Sequence, residues 1–126
     1  MAAAPVFAVT PRVGSANVAT ADSSYTSPSN VGTVLTAGAS GTRIAEVVVK
    51  CAATSAAALI RLWLYDGSTY HLFDEITVAA ATGSSTVAQT RVSTVYSNLV
   101  IPTGWSLRAT TSVSQSTNVV ALGADL

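Results

Sequence analysis

One histidine, one cysteine and six side-chain carboxylates are the chain's stock for nucleophilic, acid–base or metal chemistry, and their spacing decides what they can do. His71 and Asp74 lie three residues apart. On a strand, where successive side chains face opposite sides, that spacing separates them, so the two do not form the His–carboxylate pair that activates a hydroxyl nucleophile. The neighbours Asp74 and Glu75 diverge for the same reason and make no local acid and base pair. His71 therefore reads as structural. Cys51 continues an apolar alternation beside Val49 and reads as a small buried hydrophobe rather than a thiolate nucleophile. A zinc site needs more ligands than one His and one Cys, and no Asp-rich loop resembles a calcium cage. Gly38-Ala39-Ser40-Gly41 lacks the lysine and the following helix of a phosphate loop and reads as a turn. The expectation is a protein with no catalytic residues, no cofactor and no metal.

The elements that carry these groups read as strands. Ala, Val, Ser and Thr number 22, 17, 16 and 17 of the 126 residues, and Ala is interleaved with residues whose χ1 restriction or backbone competition disfavours helix. Turn signals recur at Ser27-Pro28-Ser29-Asn30, Gly38-Ala39-Ser40-Gly41, Asp66-Gly67, Thr82-Gly83-Ser84-Ser85, Pro102-Thr103-Gly104 and Ser114-Gln115-Ser116. Between them lie strand-length runs at 31–36, 42–52, 57–65, 70–79, 86–96, 105–113 and 118–122, with room for a further strand near 5–9. Ala45, Val47, Val49 and Cys51 share one face of their strand, and Trp105, Leu107, Ala109 and Val113 share one face of theirs, with Thr111 the polar exception. The fold class is all-β: a jelly-roll-like sandwich of about eight short antiparallel strands in a single domain. Residues 31–126 form the sandwich. Residues 10–30 lack alternation, so 1–30 read as an extended N-terminal arm or long loop.

The segment from Leu59 to Ile76 is two strands around Asp66-Gly67, a strong hairpin signal. A two- or four-residue loop puts Arg61, Trp63, Tyr65, Tyr70, Leu72 and Asp74 on one face, with Ile60, Leu62, Leu64, His71, Phe73 and Glu75 on the other. The four-residue loop is preferred because it sets Arg61 opposite Asp74 and Trp63 opposite Leu72. The second face carries the aliphatic residues and is assigned to the core. The first then faces outward, and its aromatics beside Arg resemble a protein–protein hot spot, making those six residues the candidate interface.

Charge and cysteine usage narrow the setting. Six cations and six anions, with no basic run, leave no electrostatic footprint for nucleic acid or an anionic membrane. No stretch supplies the roughly 20 apolar residues of a membrane helix, and the start lacks the cationic region and apolar run of a secretory signal. A lone cysteine permits no intrachain disulfide, so a soluble protein made in a reducing cytoplasm is expected. Five arginines stand against one lysine, a bias that suits fixed ion pairs at interfaces.

Over 38–126 the chain resembles the jelly-roll cement or decoration proteins of tailed bacteriophage heads. The resemblance lies in Gly41-Thr42-Arg43-Ile44 leading into Val47-Val48-Val49, and in Ile60-Arg61-Leu62-Trp63-Leu64-Tyr65-Asp66-Gly67 with Leu72, Glu75 and Ile76. It continues in Leu99-Val100-Ile101-Pro102-Thr103-Gly104-Trp105-Ser106-Leu107 and the ending Gly123-Ala124-Asp125-Leu126. These pieces cover about two thirds of the chain. The resemblance implies a non-enzymatic virion protein on the capsid exterior. Such a protein is made in the host cytoplasm, binds across adjacent major capsid subunits and reinforces the head against internal pressure. Its other partner is itself, a dimer ranking above a trimer because isologous pairs are the commonest assemblies. The competing reading is a receptor- or carbohydrate-binding module of a phage fibre, with Trp63 and Tyr65 stacked on sugar rings.

Overall fold

The computed structural model describes residues 9–126. They form eight strands: β1 Thr10–Val18, β2 Gly32–Thr36, β3 Thr42–Cys51, β4 Ala58–Tyr65, β5 Tyr70–Val78, β6 Arg91–Ile101, β7 Ser106–Thr111 and β8 Thr117–Asp125. All ladders between them are antiparallel, and the strands divide into two four-stranded sheets. Sheet I has the order β1-β8-β3-β6 and sheet II the order β2-β7-β4-β5. The described residues are thus an all-β sandwich. Its core lies between the sheets: Ile44, Val47, Val49 and Val119 of sheet I pack with Ile60, Leu62, Val78 and Leu107 of sheet II. Each such side chain taken from water contributes about 1.5–3 kcal/mol. Cys51 is buried in the same layer.

Residues 10–18, expected as part of an arm, are instead strand β1, paired along its length with β8. Alternation is weak there because the inward positions include Arg12, Gly14 and Ala16 rather than large hydrophobes. A side chain at Gly14 would collide with the carbonyl of Val34 and the side chain of Leu35. Small residues let β1 lie close against β2, and the backbone ladder supplies what side-chain pattern does not. The further strand expected near 5–9 lies outside the described residues except for Val9, whose amide donates to the Asp125 carbonyl at 2.9 Å.

Two other expectations shift. The strand expected at 86–96 starts at Arg91 and runs to Ile101, because the Ser84 hydroxyl accepts the amides of Thr86 and Val87 and holds them in a turn. In β3 the register slips between Ile44 and Glu46, so Ala45 is a bulge residue. Ala45 is therefore exposed, and Ile44 takes the core position expected of it. Gly123 accommodates the bulge, since a Cβ there would strike the Arg43 carbonyl oxygen.

Candidate functional site

The β4–β5 hairpin closes through the four-residue loop Asp66-Gly67-Ser68-Thr69, with Tyr65 opposite Tyr70 and Trp63 opposite Leu72. Gly67 has a φ of 104°, open to glycine at little cost. The Asp66 carboxylate accepts the amides of Ser68 and Thr69 at 2.9 and 2.7 Å. Its other oxygen lies 3.1 Å from His71 Nε2. The Thr69 and Ser68 amides, and after them His71, hold the Asp66 carboxyl below the usual range. His71 thus has a carboxylate partner, brought to it by the turn rather than by strand spacing. The Ser68 hydroxyl sits 3.2 Å from Asp66 Oδ1 and not on the imidazole, so the three groups are not ordered as nucleophile, base and orienting acid. The imidazole instead stacks on Trp105, 5.8 Å between centroids.

Beyond Leu72 the hairpin departs from expectation. Register slips between Leu62 and Trp63, leaving Phe73 as the extra residue on β5. Asp74 then pairs with Leu62 and Arg61 with Glu75, so the expected Arg61–Asp74 opposition does not form. One inserted residue exchanges the faces of everything after it. Asp74 turns toward sheet I, where it accepts the Tyr96 hydroxyl at 2.7 Å. Glu75, expected on the core face, turns outward. Burial, reinforced by Asp74, raises the Tyr96 phenol. Phe73, expected in the core, lies at the sandwich margin with its ring 5.3 Å from that of Tyr96.

The face of sheet II assigned to a partner is largely occupied by the chain itself. Trp63 is 0% and Arg61 4% exposed. Arg61 donates from Nη1 to the Asp22 carbonyl at 3.1 Å and from Nη2 to the Tyr25 hydroxyl at 3.0 Å, with its guanidinium 4.3 Å from the centre of the Tyr25 ring. Trp63 Nε1 donates to Thr110 Oγ1 at 3.0 Å, and Tyr70 meets the indole edge to face at 6.2 Å. The covering segment is the β1–β2 connection, residues 19–31, pinned where the Asp22 amide donates to the Thr111 carbonyl at 2.8 Å. Its shape is set by the Asp22 carboxylate, which accepts the amides of Ser24, Ser29 and Asn30. Those bonds, the Asn30 amide foremost, outweigh burial and lower the Asp22 carboxyl.

Of the six candidate interface residues, Arg61 and Trp63 are thus buried and Tyr65, Tyr70 and Asp74 are half-buried, leaving Leu72 exposed. Tyr65 and Tyr70 stack at 4.3 Å, and the Arg108 guanidinium lies 4.2 Å over Tyr65 and donates to the Tyr70 hydroxyl at 3.2 Å. This cluster is a closed stack rather than an open platform.

Two features escaped the sequence reading. At one end of the sandwich Arg12 makes two bonds to Asp125, at 2.9 and 3.0 Å, and a third to the Thr36 carbonyl. Thr42 adds a 2.6 Å bond to the same carboxylate. Thr42 first, and Arg12 after it, lower the Asp125 carboxyl. The site ties β1, β8, β3 and β2 together and is saturated by its own partners. The second feature is the outer face of sheet I. Register across β1, β8, β3 and β6 sets Pro11, Ala124, Arg43 and Val100 in one outward row. The next rows are Val13, Leu122, Glu46 and Val95; then Ser15, Val120, Val48 and Ser93; then Asn17, Asn118, Lys50 and Arg91. Val13 and Val95 are 69% and 73% exposed. No described segment lies over this face with hydrogen bonds of the kind that hold 19–31 on sheet II.

Among the described residues no group of three or more His, Cys, Asp or Glu is placed to hold a metal ion. Compared with models of protein families, with curated protein sequences and with solved structures, the chain gives no match in any of the three.

Proposed function

We propose that the protein is a structural component of a tailed-phage virion, a cement or decoration protein that binds the outside of the head across adjacent major capsid subunits and stabilises it. The observation that carries the reading is the strand order. With strands numbered along the chain, 1-8-3-6 against 2-7-4-5 is the order that folding four antiparallel strand pairs over into two Greek keys would give, which supports a jelly-roll reading of the sandwich. That architecture agrees with the family that 38–126 resembles. The exposed valines Val13, Val95 and Val100 on the outer face of sheet I, over which no described segment lies, support it further, because exposed apolar groups on one face of a small domain mark an interaction surface. The fibre-module reading needed Trp63 free to stack on a sugar ring; with Trp63 sealed and Tyr65 capped by Arg108 it loses its platform.

The test is co-sedimentation of the purified protein with emptied, expanded phage heads. Saturation at a fixed ratio to the major capsid subunit is the expected result. Folded protein that stays in the supernatant at every head concentration overturns the reading.

A further inference from the structure

We infer that the outer face of sheet I is where two copies of this chain join, back to back, about a two-fold axis running along the strands. The face measures four strands by about eight residues, roughly 19 Å by 27 Å. Covering it removes on the order of 500 Å² per copy, about 1,000 Å² per pair, the lower bound for a specific protein interface. A reversible dimer, rather than an obligate one, is what that area supports.

The pattern of the face selects both the occupant and the axis. A two-fold along the strands keeps each row on itself and reverses strand order, so β1 lies over β6 of the second copy and β8 over β3. Val13 then meets Val95, Pro11 meets Val100, and Val120 meets Val48, while Asn17 and Asn118 meet Arg91 and Lys50. The apolar positions of the first three rows fall on apolar positions at Val13–Val95, Pro11–Val100 and Val120–Val48, Ser15 falls on Ser93, and the fourth row pairs amides with cations. Glu46, the one acid in the four rows, comes within one strand and one row of Arg43 of the second copy, a spacing that a guanidinium stem spans. A two-fold across the strands would instead bring the Arg43 row onto the Lys50 row, cation against cation. The two sheets stack in the aligned manner of sandwich layers, about 10 Å apart.

Sheet II has no such complementarity to offer, because segment 19–31 already covers Arg61, and Trp63 is sealed with its indole N–H on Thr110. The inference stands whether or not the protein coats a capsid. If it does, the dimer is the unit that binds, and the opposite side of each sandwich is free for the shell.

Sedimentation equilibrium of the full chain, from low micromolar to submillimolar concentration, is the test. The expected result is a shift from the 12.7 kDa chain to twice that mass. Val120→Lys and Val48→Lys weaken association by at least about tenfold, a loss that one buried cation readily causes, while Leu72→Lys on sheet II leaves it unchanged. Val95→Lys, at a position 73% exposed, serves if either of the first two disturbs the circular dichroism spectrum. The axis is read by mixing Val13→Cys protein with Val95→Cys protein and adding a short bismaleimide: mixed pairs link and Val13→Cys pairs do not. A chain that is monomeric throughout overturns the inference, as does a dimer indifferent to the three lysine variants, or equal linking of Val13→Cys with itself. A dimer that ignores heads removes the capsid reading alone, and a monomer that saturates heads removes this one alone.

Discussion

The two outward faces of the sandwich differ in residue type and in how the chain itself covers them. Sheet II presents Arg61, Trp63, Tyr65, Tyr70 and Arg108, the residue types that dominate binding hot spots, and the chain closes over its centre with 19–31. Sheet I presents aliphatic residues interspersed with serines, Arg43 and Glu46, ends in the polar row of Asn17, Asn118, Lys50 and Arg91, and leaves Val13, Val95 and Val100 exposed. Residue type alone therefore does not tell an outer surface from a covered one: Arg61 and Trp63 are buried. An aromatic or arginine becomes internal when its polar tip is satisfied, as Trp63 is by Thr110 and two of the Arg61 nitrogens are by Asp22 and Tyr25. Of the three Arg61 nitrogens, Nε is left without a partner. Aliphatic side chains carry no such tip, and only a covering surface removes them from water.

If the face of sheet II is part of the interior, damage there costs folding. Trp63→Ala should have the largest effect, about 3–5 kcal/mol in chemical denaturation, the usual cost of emptying a sealed aromatic site. A loss under 1 kcal/mol would mean that the indole is not enclosed. Asp22→Ala should follow at about 2 kcal/mol, since it strands the amides of Ser24, Ser29 and Asn30. Hydrogen exchange should quicken across 22–30 in that variant and remain slow in β3 and β8.

The same carboxylate sharpens the comparison through pH. The Asp22 carboxyl lies below its ordinary value of 3.8 in the folded chain. Its stabilising contribution is therefore complete above the unfolded-state value and is lost as pH falls through the folded one. Asp66 and Asp125 shift in the same direction. Stability should hold flat from neutrality to about pH 5 and fall steeply below about pH 4. Asp22→Ala should make the acid limb shallower in urea titrations at stepped pH, whereas an unchanged limb would show that the carboxylate does not hold the segment.

Arg108→Ala should cost about 1 kcal/mol by releasing the half-exposed tyrosine stack. The smallest effect on folding belongs to sheet I. Val95→Lys should change the stability of the monomer by no more than about 0.5 kcal/mol, as surface changes do, while weakening self-association at least about tenfold. The contrast between a residue that matters to the fold and one that matters to assembly is then direct.

What could be read from the sequence follows from what alternation and turn chemistry encode. Asp66-Gly67 announced the hairpin, and the pairing of Trp63 with Leu72 followed from loop length. The apolar alternation around Val47, Val49 and Cys51 marked a strand with one core face. Bulges were illegible, because one unpaired residue at Ala45 or Phe73 changes the face of its neighbours without changing composition. Strand β1 was illegible for a different reason: Gly14 and Ala16 are chosen for closeness, and closeness has no periodic signature. Nor did any local pattern show that 19–31 would lie across Arg61, since Asp22 and Tyr25 reach it over 39 and 36 residues of sequence. The open face of sheet I went unread because its valines look like core until the register places them.

Covalent carbene footprinting over a dilution series tests the contrast between the two faces most directly. The account predicts that Val13, Val95 and Val100 are protected at high concentration and become reactive on dilution, while Leu72 labels equally throughout and Trp63 stays unlabelled. Concentration-independent labelling of sheet I, or ready labelling of Trp63 in the folded chain, would contradict it.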